Sequence, residues 1–377
     1  MNRATSIYLD LVRLLAAVAV LLTHLAYPQL SGGWLLPLRT YGNDAVMIFF
    51  VLSGYVIAYT AATRDLDVRD YLLNRCARLY SVAIPAILVT IVLDQAGRAL
   101  NPDAYAGFWY KSEQPVLRVL TALTFTNELW FNSWRLFTNG PSWSLGYEFW
   151  YYGLFAAGWY FDGWRRWALF AAGCLLVGPK VLLLFPVWLL GVWVYRVNRR
   201  GNVSPSTGTL LFFGSMLAYI AFRTSGMREV LLEWSYAELG RNFVIHSLAW
   251  SNEFLSSYLL GLLVAFNFIG CQAISGFLTP GLERIAPFVR DWAGYTFSIY
   301  LFHYPLLRFL GATGLFDPAS PLAITALFTL TLLGCRVLAN YSEKRKDAAR
   351  ALLEKLTGHH RAARPLASTS LPGASQP

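Results

Sequence analysis

The sequence predicts an all-α protein, a polytopic transmembrane bundle of about ten spans with both termini cytoplasmic. Three observations carry that expectation. Of 377 residues, 56% are hydrophobic, 16% aromatic and only 14% charged, far more apolar than a soluble domain. Apolar runs near the roughly 20 residues that cross a bilayer recur from end to end. The 31 Lys and Arg, which leave a net charge of +10, fall mostly in short connections. There they set membrane orientation, so nucleic acid is not an expected partner.

In chain order, the expected spans are 6–25, 44–62, 79–96, 144–161, 167–179, 181–196, 208–222, 254–270, 293–311 and 321–341. The first is not a cleaved signal peptide, because Asp10 and Arg13 interrupt its apolar core. Spans 167–179 and 181–196 are short and meet at Gly178-Pro179, which predicts a tight hairpin. The segment 114–131 is ambiguous, since Arg118, Asn127 and Glu128 break it. Loop charge decides against a crossing there: with ten spans and a cytoplasmic N-terminus, nineteen basic residues fall inside and nine outside. The outer connections 97–142 and 223–253 are long, aromatic and polar, a surface suited to an acceptor. The division expected is a transmembrane domain over 1–341 and a basic cytoplasmic tail over 342–377. That tail opens as a helical stretch and is otherwise largely disordered by composition. Cys76, Cys174, Cys271 and Cys335 lack disulfide or ligand spacing, so neither redox chemistry nor a metal is expected.

Four constellations interrupt the apolar background. On the first span, Arg13 and His24 are eleven residues apart, which returns a helix to within about 20° of its starting direction. Ionisable groups are costly inside a bilayer and mark functional paths by default. Asp10, one turn before Arg13, is placed to pair with it. An interfacial histidine packed against headgroups is the alternative for His24. Arg75 and Arg78 share one face at the start of the third span and suit bidentate phosphate contacts, although they also fit ordinary positive-inside anchoring. In Pro141-Ser142-Trp143-Ser144-Leu145-Gly146-Tyr147-Glu148, Ser144 and Glu148 lie on one face. Ser142 or Ser144 is placed to cap the helix. Glu148, amid aromatics, calls for a proton or a cationic partner. On the ninth span, Thr296, Tyr300 and His303 form a polar stripe. His303 is open to two readings, a satisfied core histidine or a catalytic one.

Together these motifs resemble the acyltransferase-3 family of integral membrane O-acyltransferases. The resemblance runs from Leu9 to Lys344. It rests on Arg13-(ten residues)-His24, on Asp44 and Phe49-Phe50-Val51-Leu52-Ser53-Gly54, and on Arg75-x-x-Arg78. Trp143-Ser144-Leu145-x-x-Glu148 and Tyr300-Leu301-x-His303-x-Pro305 complete it. Two departures are Ser81 where a proline usually follows the arginine pair, and Thr296-Phe297 for a usual Ser-Tyr.

The resemblance implies transfer of an acyl group, acetyl first, from acetyl-CoA or another acyl-CoA to a hydroxyl of a cell-surface or exported saccharide or glycolipid. It implies catalytic roles for His24, Glu148 and His303 and donor-binding roles for Arg13, Arg75 and Arg78. His24 would serve as general base, with Glu148 orienting it or binding the acceptor. Asp10, Asp44, Ser53, Trp143, Ser144 and Tyr300 would bind substrate or hold the site. Membrane lipids are expected partners, and the location implied is a bacterial plasma (inner) membrane. A transporter or flippase lined by the same charges is the alternative; its usual inverted repeats are not evident.

Overall fold

The computed structural model describes residues 1–107 and 109–358. It is all-helical, with one isolated bridge, Leu136 to Asn139, as its extended pairing among the described residues. Fifteen α-helices follow one another: α1 (Arg3–Leu25), α2 (Pro28–Ser31), α3 (Tyr41–Thr63), α4 (Val68–Leu100), α5 (Pro115–Leu123), α6 (Trp143–Tyr160), α7 (Gly163–Val177) and α8 (Pro179–Arg200). After them come α9 (Pro205–Thr224), α10 (Met227–Leu239), α11 (Phe254–Ala273), α12 (Ser275–Ala293), α13 (Thr296–Ala312), α14 (Pro321–Asn340) and α15 (Lys346–Thr357).

Each of the ten expected spans falls on a helix. Seven helical stretches among the described residues are long and apolar enough to cross a membrane: α1, Leu36–Thr63, α4, α8, α9, α11 and Pro321–Thr357. The other three, α6, α7 and α13, hold 18, 15 and 17 residues. The protein is thus an integral membrane helical bundle, with seven candidate spans by length and composition among the described residues. The ambiguous segment is settled by length. Its helix α5 has nine residues, about 14 Å at 1.5 Å per residue, too short to cross.

Two boundaries differ from expectation. The helix containing 79–96 begins at Val68, because Asp67 caps it by accepting from the amides of Arg69 and Asp70. Arg75 and Arg78 therefore lie within the helix. The connection 271–292 is itself mostly helical (α12), and its polar residues Glu283, Arg284 and Arg290 hide that from hydropathy. The hairpin at Gly178 is present; this glycine adopts φ +79°, and an added Cβ would come 2.7 Å from Trp130 Cα. The basic stretch after 342 forms α15, whose Arg350 pairs with Asp70 of α4 at 2.7 Å. The remainder of the tail expected to be disordered, from 359, lies outside the described residues. The four cysteines are free thiols.

Five helices surround the working space. α1 packs on α3, α12 and α13; α13 packs on α4 and α14; α6 packs on α4; and α3 packs on α8. The α3–α8 crossing is the closest. A Cβ on Gly54 would sit 2.0 Å from Trp188 O, and one on Gly191 2.0 Å from Val51 O. Small residues permit such backbone contact in membranes, where packing supplies much of the association energy. Gly54→Ala is expected to cost about 1–3 kcal/mol through overpacking. The check is thermal unfolding in detergent, and an unchanged midpoint would contradict so close a crossing.

Candidate active site

α1 and α13 run parallel and in step. Midway along α1, Arg13 Nη2 donates to Ala293 O, just before α13, at 3.0 Å. Near the C-terminal end of α1, His24 Nδ1 lies 3.1 Å from His303 Nε2. These two levels open into two different cavities.

The first cavity, about 80 Å³, is lined by Arg13, Arg75 and Arg78, with Ser53, Ser144, Glu148, Tyr152 and Tyr300 among its other walls. Arg13 forms the expected ion pair with Asp10 at 2.9 Å, and Arg75 pairs with Asp65 at 3.0 Å. Both keep a buried Nε with no hydrogen-bond partner. Arg78 sits over the Phe297 ring at 5.8 Å. Unsatisfied buried donors are expensive, and three guanidinium groups around one space are chemically suited to an anion.

Glu148 belongs to this cavity. It accepts from Ser53 Oγ at 2.7 Å and from the Tyr152 hydroxyl at 2.5 Å, while Trp188 Nε1 donates to Ser53 Oγ at 3.2 Å. The expectation that Glu148 orients His24 is corrected here: the group against His24 is His303. Four residues after Ser144 on α6, Glu148 has been carried toward the arginines. Ser144 is bonded to the Tyr300 hydroxyl at 2.8 Å. Ser142 precedes α6 without capping it, because its hydroxyl donates back to Asn139 O at 2.7 Å.

The second cavity, about 210 Å³, is lined by His24, Tyr27, Asn43, Trp109, Arg135, Trp143, Trp250 and Tyr304, among others. Trp143 and Trp250 stack with centroids 5.2 Å apart and planes within 4°. The connections 97–142 and 223–253 both reach it. Val46 and Tyr300 line both cavities and form the partition between them.

The histidine pair has a defined chemistry. His303, fully buried, has Nδ1 2.8 Å from Ile299 O. A carbonyl only accepts, so in the neutral ring that nitrogen carries the proton and Nε2 a lone pair. His24 Nδ1, facing that lone pair and Val20 O at 2.9 Å, must then be the donor. Its Nε2 is left with a free lone pair, the form a general base requires.

A proline fixes the far wall. Pro305 lies inside α13 and has no N–H for the carbonyl four residues back. That carbonyl, Leu301 O, accepts instead from Asn139 Nδ2 at 2.9 Å. Asp94 of α4 accepts from the Thr138 amide and hydroxyl at 3.1 and 2.7 Å. The 124–140 connection is thereby tied to α4 and α13.

Asp44 stands apart from both cavities' chemistry. It accepts from Tyr219 at 2.8 Å and pairs with Arg223 and Arg228 at 3.3 and 3.7 Å, joining α3 to α9 and α10. Sequence reading missed Lys180 and Glu128, an ion pair of 2.6 Å with side chains 0% and 1% exposed. It also passed over Arg135 as a site residue. Among the described residues no group of three or more His, Cys, Asp or Glu is placed to hold a metal.

Residues 6–340 match the acyltransferase domain that defines the acyltransferase-3 family. The chain belongs to that family. As an acyltransferase-3 member it is an enzyme that transfers acyl groups. It is 23% identical over 344 residues to an O-acetyl transferase of Shigella phage Sf6, covering 85% of this chain and 91% of the relative. It is 27% identical over 331 residues to the peptidoglycan O-acetyltransferase OatA of Listeria monocytogenes, covering 79% of this chain and 49% of that protein. A shorter match, 30% identical over 147 residues, joins 37% of this chain to 35% of the acyltransferase MdmB of Streptomyces mycarofaciens. No solved structure matches the chain.

Proposed function

We propose that this acyltransferase moves an acetyl group from acetyl-CoA to a hydroxyl of a cell-surface or exported saccharide at a bacterial plasma membrane. The observation that carries the reading is the pair of cavities meeting at Val46 and Tyr300, one lined by arginines and the other by His24 and aromatic rings. Arg13, Arg75 and Arg78 hold the anionic donor on the cytoplasmic side, an assignment that the positive-inside count of loop charge supports. The aromatic cavity faces outward and stacks the acceptor. One relative is a peptidoglycan O-acetyltransferase and another an O-acetyl transferase, which supports a sugar acceptor. Residues 1–341 form the catalytic unit, with α15 as a brace against α4.

His24 Nε2 takes the proton of the acceptor hydroxyl as its oxygen attacks the thioester carbonyl. The tetrahedral adduct collapses to the ester, the carbon–sulfur bond breaks, the sulfur recovers the proton held by His24, and CoA leaves as its thiol toward the arginine side. His303 is a positioning residue: its Nε2 holds the His24 proton on Nδ1. Tyr300, bonded to Ser144 at the partition, borders the path of the acyl group, and Glu148 balances the charge of the three arginines.

The test is to supply labelled acetyl-CoA to membranes containing the protein and identify the product by mass. A saccharide heavier by one acetyl group is the expected result. Label confined to lipid or protein, or label transported unesterified into vesicles, would overturn the reading.

A further inference from the structure

The acceptor cavity carries an unbalanced positive charge that acyl transfer to a neutral sugar does not need. Arg135 lines it, with Nη1 donating to Trp109 O at 3.0 Å and its guanidinium 5.5 Å from the centre of the Trp250 ring. Behind the wall lies Arg308, 4% exposed. Its Nε and Nη2 donate to the Tyr304 hydroxyl at 3.2 and 3.0 Å, and its charge sits 3.4 Å from the centre of the Trp109 ring. Among the described residues, neither arginine has a carboxylate within 4.0 Å, and no Asp or Glu lines the cavity. In the first cavity, by contrast, Arg13 is matched by Asp10 and Arg75 by Asp65. A buried cation without a counter-ion is costly, as for Arg308, while Arg135 is half-buried at the cavity wall.

Arg135 is also held in place with unusual thoroughness. The Arg118 guanidinium, 6% exposed, donates through Nη1 to Arg135 O at 2.8 Å and through Nε to Glu113 O at 2.7 Å. Two residues later Phe137 takes φ +48°, a costly left-handed conformation for a bulky side chain. Thr138 and Asn139 then tie the segment to Asp94 and Leu301 as described. An arginine serving only solubility requires none of this.

We infer that the acceptor is an anionic saccharide and that Arg135, with Arg308 behind it, selects it by its oxyanion. This rests on the acyl-transfer reading above. A planar guanidinium with free N–H groups beside stacking tryptophans fits a sugar bearing a carboxylate or a phosphate. The group presented is therefore either a uronic-acid carboxylate or the phosphate of a lipid-diphosphate-linked sugar. It is anchored while a neighbouring hydroxyl meets His24.

The full-length protein in nanodiscs is supplied with radiolabelled acetyl-CoA and paired acceptors. One pair is a glucuronic-acid oligosaccharide and its carboxyl-reduced neutral counterpart. The other is a lipid-diphosphate-linked sugar and the same sugar on a neutral lipid. At least one charged member is expected to exceed its neutral partner in kcat/KM by about tenfold or more; which pair shows it identifies the source of the oxyanion. Arg135→Gln should shrink that ratio to about threefold or less, and Arg135→Lys should keep part of it. Neutral acceptors acylated as well as charged ones, or a ratio unchanged in folded Arg135→Gln, would overturn the inference and leave saccharide acylation standing. Should Arg135→Gln not fold, the wild-type ratio still decides. Acylation of no member of either pair overturns the saccharide reading as well.

Discussion

His24→Ala is expected to lower acyl transfer by about 10²–10⁴-fold, the usual contribution of a positioned general base. Folding and CoA binding should persist. His24 lies at the end of α1, eleven residues from Arg13, and lines the acceptor cavity but not the arginine-lined one. Its loss removes the imidazole that, among the described residues, lines that cavity with a free lone pair. Acceptor KM should change far less than kcat, because the aromatic walls remain. His303→Leu should slow transfer by a smaller factor: it removes the contact at 3.1 Å that fixes the His24 tautomer, while Val20 O remains as a partner. Transfer by His24→Ala at the wild-type rate would remove the base assignment. A larger defect in His303→Leu than in His24→Ala would exchange the two roles.

Lys180→Met is expected to destabilise the fold by about 3–5 kcal/mol, the cost of leaving one buried charge without its partner. Glu128 is left with Ser133 Oγ at 3.0 Å, and Asn132 O loses the Lys180 ammonium that now donates to it. Burial already pushes the Glu128 carboxyl up, to about 7, with Lys180 and Ser133 pulling it back. Without Lys180 it rises further. A carboxyl whose folded pKa exceeds its unfolded value, about 4.3, binds more protons when folded, so stability falls as pH rises between the two values. Because the wild-type carboxyl already titrates near 7, the Lys180→Met defect should be flat below about pH 6 and grow as pH rises above about 7. Glu128→Leu in the Lys180→Met background should recover much of the loss. The measurement is the thermal midpoint in detergent across that pH range. A defect that shrinks as pH rises would refute the account.

The helical class and the placement of helices were legible because a bilayer allows few solutions: each backbone polar group must be satisfied within its own segment. Asp10–Arg13 and the facing of Arg13 and His24 followed from helical periodicity alone. Other relations depended on packing between distant segments. Glu148 and Ser144 share a face of α6, but nothing in their spacing says that this face meets Ser53 and Tyr300. The His24–His303 contact joins residues 279 positions apart. Lys180 looked like one more outer-loop charge and Arg135 like a loop arginine. Each is defined by a partner, or the want of one, that the linear order does not display. The proline of the late motif was visible, yet its use was not, since that depended on Asn139 arriving from another connection.

The alignment of Arg13 and His24 on one unbroken helix has a consequence for substrate range. About 16 Å of α1 separates them at 1.5 Å per residue, and no motion of one helix against another can alter that length. α1 is a ruler between the two half-sites. Inserting one residue between them would lengthen the ruler by about 1.5 Å but turn His24 away by about 100°. Adapting this scaffold to a bulkier acyl group therefore cannot proceed by stretching it. The extra volume has to come sideways, from the walls that α3, α6 and α13 contribute around Val46, Ser144 and Tyr300.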